Sequence, residues 1–168
     1  TAGDEPVVAT CGGEVGYGNY LSSCLVLDAS TGQWEENRIG SLLQKRYWHA
    51  AVTLDQGVYV IGGAGSSTWS TTELLRAGSS SWEQGPTIPV LMEDGPCAVA
   101  ISGTSFLAIY GREIREFDTS IAGPTSSQGW REEGWWPKME TSRHSWPGCA
   151  KMGDKVIIAG GGPDRSTT

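Results

Sequence analysis

Two histidines, four cysteines, a few arginines and eight tryptophans are the residues of this 168-residue chain with chemistry to offer. A nucleophile–base pair or a metal centre needs histidine, cysteine and carboxylate groups that converge. His49 and His144 instead occupy related places, in Arg46-Tyr47-Trp48-His49 and Arg143-His144-Ser145-Trp146, each leading into a short strand of small residues. Paired placement of that kind reads as structural hydrogen bonding, so neither catalysis nor a metal or organic cofactor is expected. Cys11, Cys24, Cys97 and Cys149 contain no CxxC spacing, which argues against zinc and thioredoxin-like chemistry. Cys11 and Cys24 are placed to face each other across a hairpin as a disulfide, but buried free thiols filling strand positions are the preferred expectation. Gly13-Glu14-Val15-Gly16-Tyr17-Gly18 has the glycines of a phosphate loop without the helix that would follow one.

These residues sit on a repeated frame. Strands ending in glycine recur as Val7 to Gly13, Val58 to Gly63, Phe106 to Gly111 and Val156 to Gly161. Trp34, Trp82 and Trp130 follow three of them at an even step. A period near fifty residues with this content means stacked four-stranded units. The clearest unit has a strand of small residues (Trp48 to Leu54), a turn at Asp55-Gln56-Gly57, a buried strand (Val58 to Ile61), a third strand (Thr71 to Arg76) and a fourth around Trp82. Further strands are expected at Leu21 to Asp28, Gln33 to Glu36, Cys97 to Ile101, Glu113 to Asp118, Gln128 to Glu132 and Cys149 to Met152. The units run over about 1–40 (lacking its first strand), 41–90, 91–138 and 139–168 (incomplete). No stretch of ten or more residues has a helical period, so the fold class is all-β.

Composition bounds the partners. The net charge of −7, with no cationic cluster beyond Lys45-Arg46, disfavours nucleic acid and anionic lipid. Apolar runs are too short for membrane insertion by a helix. The cysteines, few lysines and missing initiator Met lean towards an extracellular site, with a cytoplasmic one as the alternative.

Hydrophobics before Gly-Gly, a strand ending in Asp28 or Asp118, and a Trp beyond it resemble the kelch motif. Arg46 and His49, with Arg143 and His144, sit where kelch repeats commonly carry Arg and His. The pattern departs from the motif at Tyr110-Gly111 and at Arg76-Ala77. The resemblance implies a β-propeller, here a segment of about three and a half four-stranded blades. Propellers close with four to eight blades, so further blades or a second copy would be needed.

It also implies a function: a non-catalytic protein–protein interaction scaffold that holds its partner on one loop face. Structural or matrix assembly through blade edges is the alternative. A minor third reading is a galactose-oxidase-like or glycan-acting enzyme, which lacks its ligand set in this sequence. Trp34, Trp82 and Trp130 are expected as wedges between units, and Trp48 and Trp146 as scaffold. Trp69, Trp135 and Trp136 break the repeat and fall in loops that the resemblance assigns to the ligand face, where large amphipathic side chains anchor partners. Gly111 runs directly into Arg112, so a notch is expected there, with Arg112, Arg115 and Arg143 beside it. Arg plus Trp suits an acidic peptide or a glycan.

Overall fold

The structure is a computed structural model that describes residues 7–65, 69–92, 95–140 and 145–162. It is all-β. Among the described residues twelve strands form four small antiparallel sheets, three of them meanders and the last a hairpin, and none closes on itself. The first sheet has β1 (Ala9–Cys11), β2 (Cys24–Asp28) and β3 (Gln33–Glu36). The second has β4 (Ala50–Leu54), β5 (Gly57–Ile61), β6 (Thr72–Arg76) and β7 (Trp82–Gln84). The third has β8 (Cys97–Ala100), β9 (Ser105–Tyr110) and β10 (Glu113–Asp118), and the fourth β11 (Ser145–Met152) and β12 (Lys155–Gly162).

Strand periodicity explains how the sheets stack. Successive side chains of a strand point to opposite faces, so a strand buried on both sides must be apolar along most of its length, as β5 and, after Ser105, β9 are. On β5, Val60 packs with Cys24, Leu42 and Trp82 on the side of the first sheet. Its neighbours Tyr59 and Ile61 face the third sheet and pack with Phe106 and Phe117. On β9, Leu107 and Ile109 turn the other way and meet the fourth sheet near Val156 and Ile158. Tyr59, Phe106, Phe117 and Trp130 form an aromatic cluster with ring centroids 5.1 to 5.9 Å apart in tilted and edge-on pairs, the geometry ring quadrupoles favour. The first strands of three successive sheets are neighbours, with β8 between β4 and β11.

Glycine is required where strands end. Gly63 has φ +90°, and a Cβ there would lie 2.6 Å from the Tyr47 carbonyl oxygen. Only a residue without a side chain permits both the left-handed backbone and the approach that lets Ala64 and Tyr47 exchange hydrogen bonds.

Three expectations need correction. The segment Gln128 to Glu132 is not a strand. Asp118 caps a short helix, α1 (Thr119–Ala122), and a 3-10 turn over Ser127–Gly129 follows, leaving one bridge between Phe117 and Trp130. Ser126 caps that turn through the Gln128 amide, and such local bonds compete with a sheet ladder. The cysteines are not free thiols: Cys11 is joined to Cys24, and Cys97 to Cys149. Trp34 is not a wedge. Its repeat equivalent Trp82 is only 8% exposed, whereas Trp34 is 48% exposed. Trp82 is covered by the first sheet, and no described sheet covers the outer face of the first. At the other end, Met152 and Ile157 on the outer face of the fourth sheet are likewise exposed.

Candidate functional site

β10 and the connection after it carry a dense set of charges around two tryptophans. Alternation along β10 sorts them. Glu113 and Arg115 share a face with Phe117, while Glu116 and Asp118 share the other with Ile114. Arg115 is buried, with Nη2 3.0 Å from Glu113 and 3.6 Å from Glu133. Lys138 pairs with both of those carboxylates, and its bond to Glu113 is the main reason its pKa is raised. On the other face Arg131 reaches Asp118 at 2.9 Å and Glu116 at 3.7 Å. The Asp118 carboxyl is held below the usual carboxylate range, first by the Ser120 hydroxyl and then by the Ser120 amide and Arg131, so it remains an anion for Arg131.

That fixed guanidinium lies over the Trp135 ring, 4.9 Å from its centroid, a cation–π contact. Trp135 is nonetheless 61% exposed. It forms one wall of an open cleft of about 450 Å³, with Ile121, Gln128, Trp130, Arg131 and Glu132 making the rest. A large amphipathic ring whose orientation is set before any ligand arrives, beside an apolar floor and a few polar groups, is suited to grip a side chain of a partner.

The other sequence-based site residues scatter. Trp136 is not a surface anchor. Its ring packs between the third and fourth sheets, and its Nε1 donates to Glu116 Oε2 at 2.8 Å. Arg112 occupies a two-residue turn between β9 and β10 and donates from Nε to the Met139 carbonyl at 2.8 Å. It is exposed, and among the described residues it has no carboxylate partner. Trp69 is exposed in the β5–β6 loop, where its carbonyl accepts from the Met92 amide, but it does not line the Trp135 cleft. Arg143 and His144 lie outside the described residues. Sequence reasoning missed Arg131, Asp118 and Ile121. Arg131 falls in the segment assigned to a strand, so its reach back to Asp118 was hidden by that assignment.

The charge balance alters the ligand expected. Residues 112–140 hold the cations Arg112, Arg115, Arg131 and Lys138 against the acids Glu113, Glu116, Asp118, Glu132, Glu133 and Glu140. Arg115, Arg131 and Lys138 already have carboxylate partners. Spent cations in an acidic surround do not favour an acidic peptide; a neutral or basic one fits better.

His49 has a different place. It lines an apolar cleft of about 380 Å³ between the first two sheets, with Val7, Ile39, Val58, Val60 and Trp82 among its neighbours. Its side chain bonds to the Cys11 backbone, and burial, with Arg46 nearby, pulls its pKa down to about 4. Such a histidine is neutral when folded and takes a proton more readily when unfolded. Its contribution to stability is intact above pH 6.5 and is lost as pH falls towards 4, by about 1.4 kcal/mol per unit of pH at most. Urea midpoints measured across that range should therefore fall less steeply for His49→Gln than for the wild type; equal slopes would mean that His49 is solvated.

Among the described residues no group of three His, Cys, Asp or Glu side chains is placed to hold a metal ion, and no helix is long and apolar enough to cross a membrane. No protein-family model and no curated protein matches this chain.

Proposed function

We propose that this chain is a non-catalytic interaction scaffold of the kelch β-propeller type, which binds a protein partner through loops and connections at its sheet edges. The successive sheets, each packed face to face on the next, support the propeller reading. The observation that carries the binding reading is Trp135: exposed, angled over a cleft, and held there by an arginine whose charge is already satisfied. What sets Trp135 apart from the other exposed aromatic rings is that its orientation is fixed by Arg131 beside an open cleft, the arrangement of an interface anchor. Two disulfides suit an oxidising compartment, which is where we place it.

Trp135→Ala tests this. The ring contributes little to the core, so the unfolding midpoint should stay within about 0.5 kcal/mol of wild type. Affinity for a partner captured by the wild-type chain should fall about thirtyfold or more, as for an interface anchor worth about 2 kcal/mol. Undiminished affinity would remove this cleft as the binding site.

One observation favours a second reading, assembly through sheet faces. The exposed Trp34 and Val8 at one end, and Met152 and Ile157 at the other, belong to faces that are buried wherever the chain supplies a neighbouring sheet. Light scattering separates the readings. Particles that grow with concentration favour assembly, and a particle of fixed mass favours the scaffold.

A further inference from the structure

Away from the Trp135 cleft, four aromatic rings join into a row across three sheets. Tyr20, from the β1–β2 loop, stacks on Tyr47 with centroids 4.4 Å apart and planes 8° from parallel. Tyr47 is followed by Trp48 at 4.5 Å, and Trp48 meets Trp146 edge-on at 5.1 Å and 73°. Trp48 precedes β4 and Trp146 is the second residue of β11, so residues two units apart touch over the start of β8. Gly95, just before β8, makes this possible: any side chain there would collide with the Trp146 indole.

Two features mark the row as more than packing. Trp48 and Trp146 are 45% and 49% exposed although they are among the largest apolar side chains in the chain. Both have left-handed backbones, with φ +54° and +57°. Bulky residues adopt that conformation rarely and at a cost, and such outliers cluster where ligands are held.

We infer that the Tyr20–Tyr47–Trp48–Trp146 row is a docking site for a proline-rich peptide in the polyproline II conformation. The chemistry is complementary in three respects. Pyrrolidine rings are flat, apolar and rigid, and they pack on aromatic faces; the perpendicular indoles make a corner for one. A polyproline segment has carbonyl acceptors and no N–H donors, while the indoles offer donors and no acceptor. The row itself is uncharged, and the chain's charge of −7 would draw a ligand with basic flanks. A sugar can stack on the same rings, but it is neutral and gains nothing from the chain's negative charge, and titration separates the two. Aromatic-lined grooves that read proline-rich segments work on the same principle, using a ligand that is already ordered before it binds. This inference concerns a surface separate from the Trp135 cleft, and either can fail without the other.

The test uses the whole chain labelled with ¹⁵N and titrated with an acetylated oligoproline peptide carrying one arginine. The eight tryptophans give separable indole signals. Those of Trp48 and Trp146 should shift saturably while that of Trp82 stays fixed. Trp48→Ala and Trp146→Ala should each weaken the peptide at least tenfold, with the remaining indole signals still dispersed as a control for folding. Wild-type shifts alone decide the matter if either variant fails to fold. The inference is overturned if the two signals do not move, if only other tryptophans respond, or if cellohexaose shifts them and oligoproline does not.

Discussion

Glu73→Leu is expected to destabilise the fold by about 3–5 kcal/mol, the usual cost of removing one member of a buried ion pair. Arg46 and Glu73 are both fully buried, with Nη2 2.7 Å from Oε1. The guanidinium also donates to the Gly62 carbonyl at 2.8 Å and to the Thr71 hydroxyl at 3.2 Å. Burial lowers the pKa of Arg46, and Glu73 opposes that shift. Glu73 in turn accepts from the backbone amides of Leu43 at 2.6 Å and Gln44 at 3.1 Å. The pair therefore ties the β3–β4 connection to the ends of β5 and β6. It fixes the backbone directly before Tyr47 and Trp48. Leucine at 73 would strand a buried cation and two amides together. The double variant Arg46→Met with Glu73→Leu should recover part of the loss, because the lone charge is gone, yet stay below wild type, because the amides and the Gly62 carbonyl still lack partners. Urea unfolding of the two single variants and the double variant measures this. A loss under about 1 kcal/mol for Glu73→Leu would show that the pair is hydrated.

The second large effect concerns Cys97 and Cys149. Their disulfide joins β8 to β11 across 52 residues of sequence. A cross-link closing a loop of that length stabilises mainly by restricting the unfolded chain, by about 4 kcal/mol in the chain-entropy limit and about 2–4 kcal/mol in practice. Cys149→Ala should lower stability by that amount. Proteolysis should then cut first in the connection between the third and fourth sheets, since the apolar contacts remaining there are fewer than between the second and third. The Cys11–Cys24 bond spans 13 residues and links directly paired positions of β1 and β2, so its removal should cost less. Equal losses from the two, or none from Cys149→Ala, would contradict this division.

The sheets were largely legible in the sequence because their causes are local. Apolar alternation gives the strands, and Gly62-Gly63 ends one where a left-handed backbone is needed. The features that escaped are those set by neighbours. Trp34 repeats the position of Trp82, but whether a sheet covers it is not written near residue 34. Cys97 and Cys149 pair because β8 and β11 lie side by side, which no spacing rule reports. Gln128 to Glu132 looked strand-like by analogy with its repeats, yet Ser126 and the Asp118 cap bend the chain first. Of the site, Trp135 was legible as a tryptophan out of phase with the repeat. Trp136, its neighbour, was not separable from it, since one faces water and the other the gap between sheets. Trp48 and Trp146 looked like scaffold by their spacing. That their rings touch follows from convergence two units apart, which the spacing does not report.

That convergence is the claim on which both the fold and its surfaces rest: successive sheets stack so that the strand starts draw together. It can be tested directly by the nuclear Overhauser effect between the indole protons of Trp48 and Trp146, in the unmodified chain with both rings assigned. With ring centroids 5.1 Å apart, a cross-peak is predicted, together with one between the Tyr20 and Tyr47 rings. Assigned rings with no such cross-peak would mean that the units do not pack in this order.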